Sequence, residues 1–339
     1  MVSPKEKEWN EFLIKVPNAN IFQTPEMKDV YEHTKGYEPI SIGIANQNNE
    51  LLAIFLGVVI HVKSGLFRPF ATWSTARGGP IYLNNNKSDL ILNLAVEHFE
   101  KCARIKGSQY SRVYMLSNPD ENIITNFDNK KWSREDSFDF LLDFSLGKEE
   151  IWNNMNKSRR YGIRKGLKNK ILIEEIKDES AVDIFYELYS SMTKRNNLIR
   201  IDKSFFSAIF KYMVHKKYTK FVFAKNADNY ISGIVISTYN KSIYLWFAAN
   251  TKDAYRLHAN ELLYWHSIEE GIENGYRLFD FGGAGSQKHG GKVKGIYNYK
   301  KDFGGNLVNY GRFKTVHDPI KYFITNNMFP IYKRIVRGI

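Results

Sequence analysis

Apolar positions fall into two successive sets of short strand-like runs, each set closed by a helical stripe and one further run. In the first set, Ile40 to Ala45 and Leu51 to Val62 flank the polar stretch Asn46-Gln-Asn-Asn-Glu50 and so predict a β-hairpin. The unbroken apolar run Leu51 to Ile60 has ten residues, and a membrane-spanning helix needs about twenty. A loop carrying Ser74, Arg77, Gly78, Gly79 and Pro80 follows. Lys87 to Lys106 then spaces Leu90, Leu94, Glu97/His98 and Cys102 as a helix does, with Ser88 as N-cap and Gly107 as the stop. Tyr110 to Leu116 predicts the next strand.

The second set repeats that order. Phe221 to Lys225 and Ile231 to Tyr239 form a predicted hairpin across Asn226-Ala-Asp-Asn229, and Ser242 to Ala249 is a third strand. His258 to Asn274 reads as a helix through Leu262, Trp265 and Ile268, ended by Gly275, and Tyr276 to Phe281 as a buried strand. The order β-β-(β)-α-β thus occurs twice with little residue identity, a repeat of architecture and not of sequence. Between the halves, about Lys148 to Met213, the pattern is helical. The expected domains are 1–145 and 146–339, the second with an inserted helical segment and a C-terminal helix. No Pro/Ser-rich linker separates them, so tight packing is expected.

Composition changes the picture through charge. With 49 Lys and Arg against 36 Asp and Glu, the 339-residue chain carries +13, and its pI is near 9.4. Such an excess favours an anionic partner: phosphate, nucleic acid or an acidic membrane surface. A coding bias toward Lys, Asn, Ile, Tyr and Phe gives the same counts. The most concentrated segment, Lys157 to Lys170, holds seven cations in fourteen residues and no acid. The N-terminus lacks a signal peptide's apolar segment, and the single cysteine, Cys102, excludes an internal disulfide. A cytoplasmic protein, working at the inner face of the membrane, is the expectation.

Templates for several chemistries fail. The glycine-rich stretch Phe281 to Lys292 has glycine where a phosphate loop of the form G-x-x-x-x-G-K-[ST] needs lysine at 291. It has Lys288 where G-x-G-x-x-G needs its last glycine. We read it as a basic loop that closes over ligand. The eight histidines form no HExxH, no Cys/His cluster suggests zinc, and no metal is expected. There is no G-x-S-x-G elbow, and Cys102 sits in a helix pattern as a packing residue. What remains is an inventory of lysines, arginines, aromatics and backbone amides. It suits direct transfer, in which an enzyme positions two substrates and stabilises a developing oxyanion.

Longer runs carry a resemblance. His258-Ala-Asn-Glu-Leu-Leu-Tyr-Trp-His through Leu278-Phe-Asp-Phe-Gly-Gly283, followed by Gly295-Ile-Tyr-Asn-Tyr-Lys-Lys-Asp-Phe-Gly-Gly305, is similar to the C-terminal signature of the FemABX-like peptidyltransferases of the GNAT acyltransferase class. Ile21-Phe-Gln-Thr-Pro25 with Lys35-Gly36, Ala76-Arg-Gly-Gly-Pro80, and Ile151-Trp through Lys157-Ser-Arg-Arg-Tyr-Gly-Ile-Arg-Lys165 match upstream in order. The resemblance spans roughly residues 20 to 315.

The resemblance implies an α/β (α+β) fold of tandem GNAT-like acyltransferase domains packed across a cleft. It implies an N-acyltransferase that joins an activated acyl group to an amine on an anionic cell-envelope precursor, peptidoglycan-like or glycan. The favoured donor is aminoacyl-tRNA, with acyl-CoA as the alternative. By the same resemblance Lys300, with Tyr299 as its aromatic neighbour, sits at the transfer site, and Lys35 and Arg195 grip the precursor's diphosphate. Arg77, Lys292 and Lys294 join them as expected substrate-binding cations, and Arg159, Arg160, Arg164 and Arg256 are expected to hold the donor. The family's CoA loop should precede His258, but Asp253 to Asn260 has only Arg256 and no glycine, which weakens the CoA option. Asp280 and Glu261 are the carboxylates near the motif. A non-catalytic RNA-binding protein using 157–170 is the lesser alternative; it needs stacking aromatics, and that segment has only Tyr161.

Overall fold

A computed structural model describes residues 2, 4–62, 70–285 and 291–328. The chain divides into two compact units, Met1–Asp136 with Tyr310–Ile339, and Ser137–Asn309.

The first unit begins with helices α1 (Glu6–Lys15) and α2 (Pro25–Glu32), the latter capped by Thr24. The predicted hairpin follows as β1 (Tyr37–Ala45) and β2 (Leu51–His61), paired antiparallel from Tyr37↔Ile60. β2 is apolar throughout because both its faces are covered. Gly57 on this strand permits close approach: a Cβ there would run into the Phe99 ring. Next come β3 (Thr72–Arg77), β4 (Ile81–Tyr82), α3 (Ser88–Ile105), β5 (Tyr110–Tyr114), α4 (Glu121–Asn129) and β6 (Ser133–Glu135).

The expected face of α3 is corrected. Leu90 and Leu94 are exposed, and Ile91, Leu92, Ala95, Val96, Phe99 and Ala103 pack inward, with Phe99 stacked on Phe55 at 4.5 Å. Its N-cap position is Lys87, while Ser88 Oγ accepts from the Asn85 amide.

The second unit runs β7 (Phe138–Asp143), α5 (Gly147–Asn154), α6 (Lys157–Lys168), β8 (Leu172–Glu175), α7 (Ser180–Asn196) and α8 (Lys203–Ile209). It continues with β9 (Thr219–Asn226), β10 (Asn229–Tyr239), β11 (Ser242–Asn250), α9 (Lys252–Arg256), α10 (Ala259–Glu273), β12 (Leu278–Gly283), α11 (Gly291–Lys301) and β13 (Asn306–Asn309). Its sheet order is β13-β7-β12-β11-β10-β9-β8; β11 and β12 pair parallel, and the other pairs among the described residues are antiparallel. Trp265, Ile268, Phe279, Phe281 and Phe303 lie in one core with Ile234 and Ile243. Phe185 and Phe206 form an aromatic cluster with Phe221.

The chain then returns to the first sheet as β14 (Arg312–Val316), followed by α12 (Pro319–Phe323). β14 pairs with both β5 and β6, giving the order β1-β2-β3-β5-β14-β6 with β4 on β2, and Phe313 stacks on Phe127 at 4.3 Å. This division differs from the expected one at 145/146. β7 pairs with β12 and β13 and so opens the second unit, and the segment after Asn309 belongs to the first. Among the described residues no helix is long and apolar enough to cross a membrane.

Candidate active site

Strands β11 and β12 pair over three residues, Ser242↔Leu278 to Tyr244↔Asp280, and then part. β11 continues to Asn250, and its edge on that side pairs with no other strand among the described residues. A register shift against β10 sets Val235 opposite Phe247 and Ile236 opposite Leu245, leaving Trp246 as the extra residue of a bulge. Bulges of this kind bend a strand and recur beside active sites. On β12, Gly282 takes φ +70°, which favours glycine, and a Cβ there would lie 3.1 Å from Leu245 O. The Asp280 carboxylate, itself buried, accepts from the Gly282 amide at 2.7 Å and holds this turn. The sequence thus builds a fork at the C-terminal end of β12.

Lys300 reaches that fork from α11. Its ammonium donates to the carbonyls of Gly282 (3.1 Å) and Gly283 (2.9 Å). Asp139, buried on β7, is the register partner of Gly283, so a second carboxyl-bearing residue stands beside the strand end. Pattern reading missed Asp139, which nothing local distinguishes from any other strand residue.

Tyr299 points elsewhere. Its ring meets Tyr264 and Phe303 edge-on at 5.6 and 5.4 Å, and its buried hydroxyl has no hydrogen-bond partner among the described residues. Burial, reinforced by the nearby Glu261 carboxylate, raises its pKa well above the ordinary value, so the hydroxyl keeps its proton. The geometry gives Tyr299 packing work.

The basic segment forms α6, as expected, but its cations divide. Gly162 and Gly166 lie against the start of α10, where a Cβ on Gly166 would meet His258 O at 2.9 Å. This close packing turns Arg159 inward. Its Nη1 donates to Glu261 at 2.8 Å, its Nε lies 3.7 Å from Asp302, and its guanidinium covers the Tyr299 ring at 4.5 Å. Arg160 donates to the carbonyls of Trp152 and Asn153 at the end of α5. Arg164 is exposed and lies over Trp152 at 5.4 Å; Lys165 lies 5.6 Å from the centre of the Tyr161 ring. Arg159 is therefore engaged inside the unit, and the outer face of α6 presents Tyr161, Arg164, Lys165 and Lys168.

The other expected cations scatter. Arg195 donates to the backbone carbonyl of Asn250 at 2.7 Å, fixing the end of β11. Arg256 is exposed and pairs with Asp253 at 3.0 Å, and Lys294 is exposed on α11. Lys292 lies on α11 with its side chain outside the described set, and Ser286 to Gly290 of the expected closing loop lie outside it altogether. Lys35 and Arg77 belong to the first unit, where Arg77 covers Phe22 at 4.6 Å. Among the described residues no group of His, Cys, Asp and Glu could hold a metal ion.

Residues 153–301 match the family model described as an acetyltransferase (GNAT) domain. No curated protein matches the chain. Among solved structures, FemX is similar at TM-score 0.71 and 14% identity, over 96% of this chain and 99% of that one. The C-terminal domain of a candidate lysylphosphatidylglycerol synthetase from Agrobacterium fabrum is similar at TM-score 0.58 and 12% identity, over 97% and 98%. A tandem GNAT protein from the clavulanic acid biosynthesis pathway is similar at TM-score 0.57 and 10% identity, over 93% and 97%. The two α/β units thus share a tandem GNAT fold, and the second carries a GNAT-type acyltransferase domain.

Proposed function

We propose, for a chain that carries a GNAT-type acyltransferase domain and has the fold of FemX, that it transfers an aminoacyl group from aminoacyl-tRNA to an amine on an anionic cell-envelope precursor. The observation that carries this reading is the Lys300 ammonium, held on the carbonyls of Gly282 and Gly283 where β11 and β12 part. An acyl carbonyl lodged in the fork would meet that charge. The acceptor amine attacks the ester carbon, the oxyanion forms beside Lys300, and the carbon–oxygen bond to the tRNA ribose then breaks. The amine gives up a proton and the departing hydroxyl gains one. A fixed cation stabilises the oxyanion without reorganising, which is where such sites gain most of their rate.

The donor assignment rests on the approach to α10. Its first turn holds the Glu261 carboxylate, and the preceding Asp253 engages Arg256. A diphosphate prefers a helix start rich in amides and cations, and an acid there disfavours it. The outer face of α6 supplies cations beside aromatics, which suits a nucleic acid. On the second unit Lys294 remains a proposed contact of the anionic acceptor, and work at the inner face of the membrane accords with such a substrate. The GNAT-domain match itself favours the second reading, an acyl-CoA donor acting on a sugar, lipid or amino-acid amine.

The deciding experiment incubates the purified chain with aminoacyl-tRNAs or acyl-CoAs and amine-bearing envelope precursors, and follows product mass. An aminoacyl mass gained only with charged tRNA is the expected result. Gain with CoA thioesters alone would move the protein to the second reading. RNA binding with no discharge of either donor would leave a non-catalytic RNA-binding protein.

A further inference from the structure

We propose that Arg159 is a positioning residue for Lys300, acting through the end of α11 and not through contact with a donor. Residues 299 and 300 are neighbours on a helix, so their side chains leave its axis about 100° apart. Whatever fixes the Tyr299 ring therefore fixes the direction of Lys300. Arg159 does this with three attachments: its guanidinium lies on the Tyr299 ring at 4.5 Å, its Nε is 3.7 Å from Asp302, and its Nη1 is bonded to Glu261 on α10 at 2.8 Å. A backbone bond from Asn156, the cap of α6, to Asp302 O at 2.9 Å ties the same two elements. That single bond fixes one point, whereas the planar fork resists rotation of α11 about its axis. Arg159 and Glu261 are largely buried, at 18% and 11% side-chain exposure, so their charges are little screened.

The assignment rests on the reading of Lys300 as the transfer-site cation, but its first test needs no substrate. Full-length protein, native and with Arg159→Met or Arg159→Lys, is labelled with limiting acetic anhydride, and peptides are quantified by mass spectrometry. Lys294, exposed on α11, is the internal standard. Lys220, which pairs with Glu175 and Glu270 in the same unit, reports general loosening. Arg159→Met should raise Lys300 labelling relative to Lys294 about tenfold, as local opening does, with Lys220 unchanged. Arg159→Lys keeps a charge opposite Glu261 but loses the fork, and should give about a threefold rise.

A Lys300 ratio that stays at the native value overturns the proposal, and so does a parallel rise at Lys220. If the Met variant does not fold, the Lys variant decides on the same criteria. With a donor in hand, Arg159→Met should lower kcat and leave the donor KM, with no further loss in a Lys300→Met background. A raised donor KM at native kcat would return Arg159 to donor binding. Labelling as expected with no transfer from any donor would remove the acyl-transfer reading and leave the positioning intact.

Discussion

Gly283 and Lys300 are joined by a 2.9 Å hydrogen bond that sets the penultimate residue of α11 on the last residue of β12. Helix and strand thereby share one end, and the carbonyls that receive the lysine's charge are backbone atoms that no substitution of a side chain removes.

Lys300→Met should slow transfer by about 10²–10³-fold, the scale for losing one oxyanion donor, with acceptor affinity largely kept. Steady-state kinetics with whichever donor the product-mass assay identifies measures it. Turnover near the native rate would exclude Lys300 as the transfer-site cation.

Gly166→Ala should destabilise the protein although alanine is the better helix former by about 1 kcal/mol. The added carbon would lie 2.9 Å from a backbone carbonyl at His258 and 3.0 Å from Leu262 Cβ, neither of which is a movable side-chain end. We expect a loss of about 1–3 kcal/mol in urea unfolding. An unchanged or raised midpoint would show that α6 and α10 pack less closely than described.

His317 gives the first unit a pH dependence. Burial lowers its pKa to about 4, the Arg104 charge adding to the shift and Glu100 opposing it. Its Nε2 shares a 2.6 Å hydrogen bond with the Ser111 hydroxyl. The unfolded chain takes up this proton near pH ~6.5 and the folded chain only near 4, so the stability from neutral His317 is whole above ~6.5 and is lost as pH falls. Melting temperature should therefore fall less steeply between those values in His317→Gln. Parallel curves for the two proteins would count against it.

Donor binding should depend on the outward cations of α6. Replacing Arg164, Lys165 and Lys168 together with alanine should reduce the log–log salt slope of tRNA binding by about one unit per charge removed. Native and triple-variant slopes that coincide would detach this face from the donor.

Local periodicity made much of the fold legible. The hairpins at 37–61 and 219–239 and the helix at Ala259–Glu273 lie close to where turn residues and apolar spacing placed them. The buried face of α3 was not legible, because Leu90, Ile91, Leu92, Leu94, Ala95 and Val96 leave apolar residues on every side. The membership of β7 and β14 was hidden for another reason: each pairs with strands far away in sequence, and no local pattern encodes that. At the site, a motif singled out Lys300. Its neighbouring basic run gave no sign that Arg159 turns inward while Arg164 turns out, since arginines look alike until something packs on them. Gly162 and Gly166, four apart on that helix, were the available hint of a close neighbour.

The late arrival of β14 bears on how the protein is made. Once Asn309 has emerged from the ribosome, every residue of the second unit is free to pair. Tyr110–Tyr114 and Ser133–Glu135 still lack the strand that lies between them, and Phe127 lacks the ring that stacks on it. The half that is translated first is therefore the half that is finished last, and until Val316 emerges it carries two open strand edges of the kind chaperones shield.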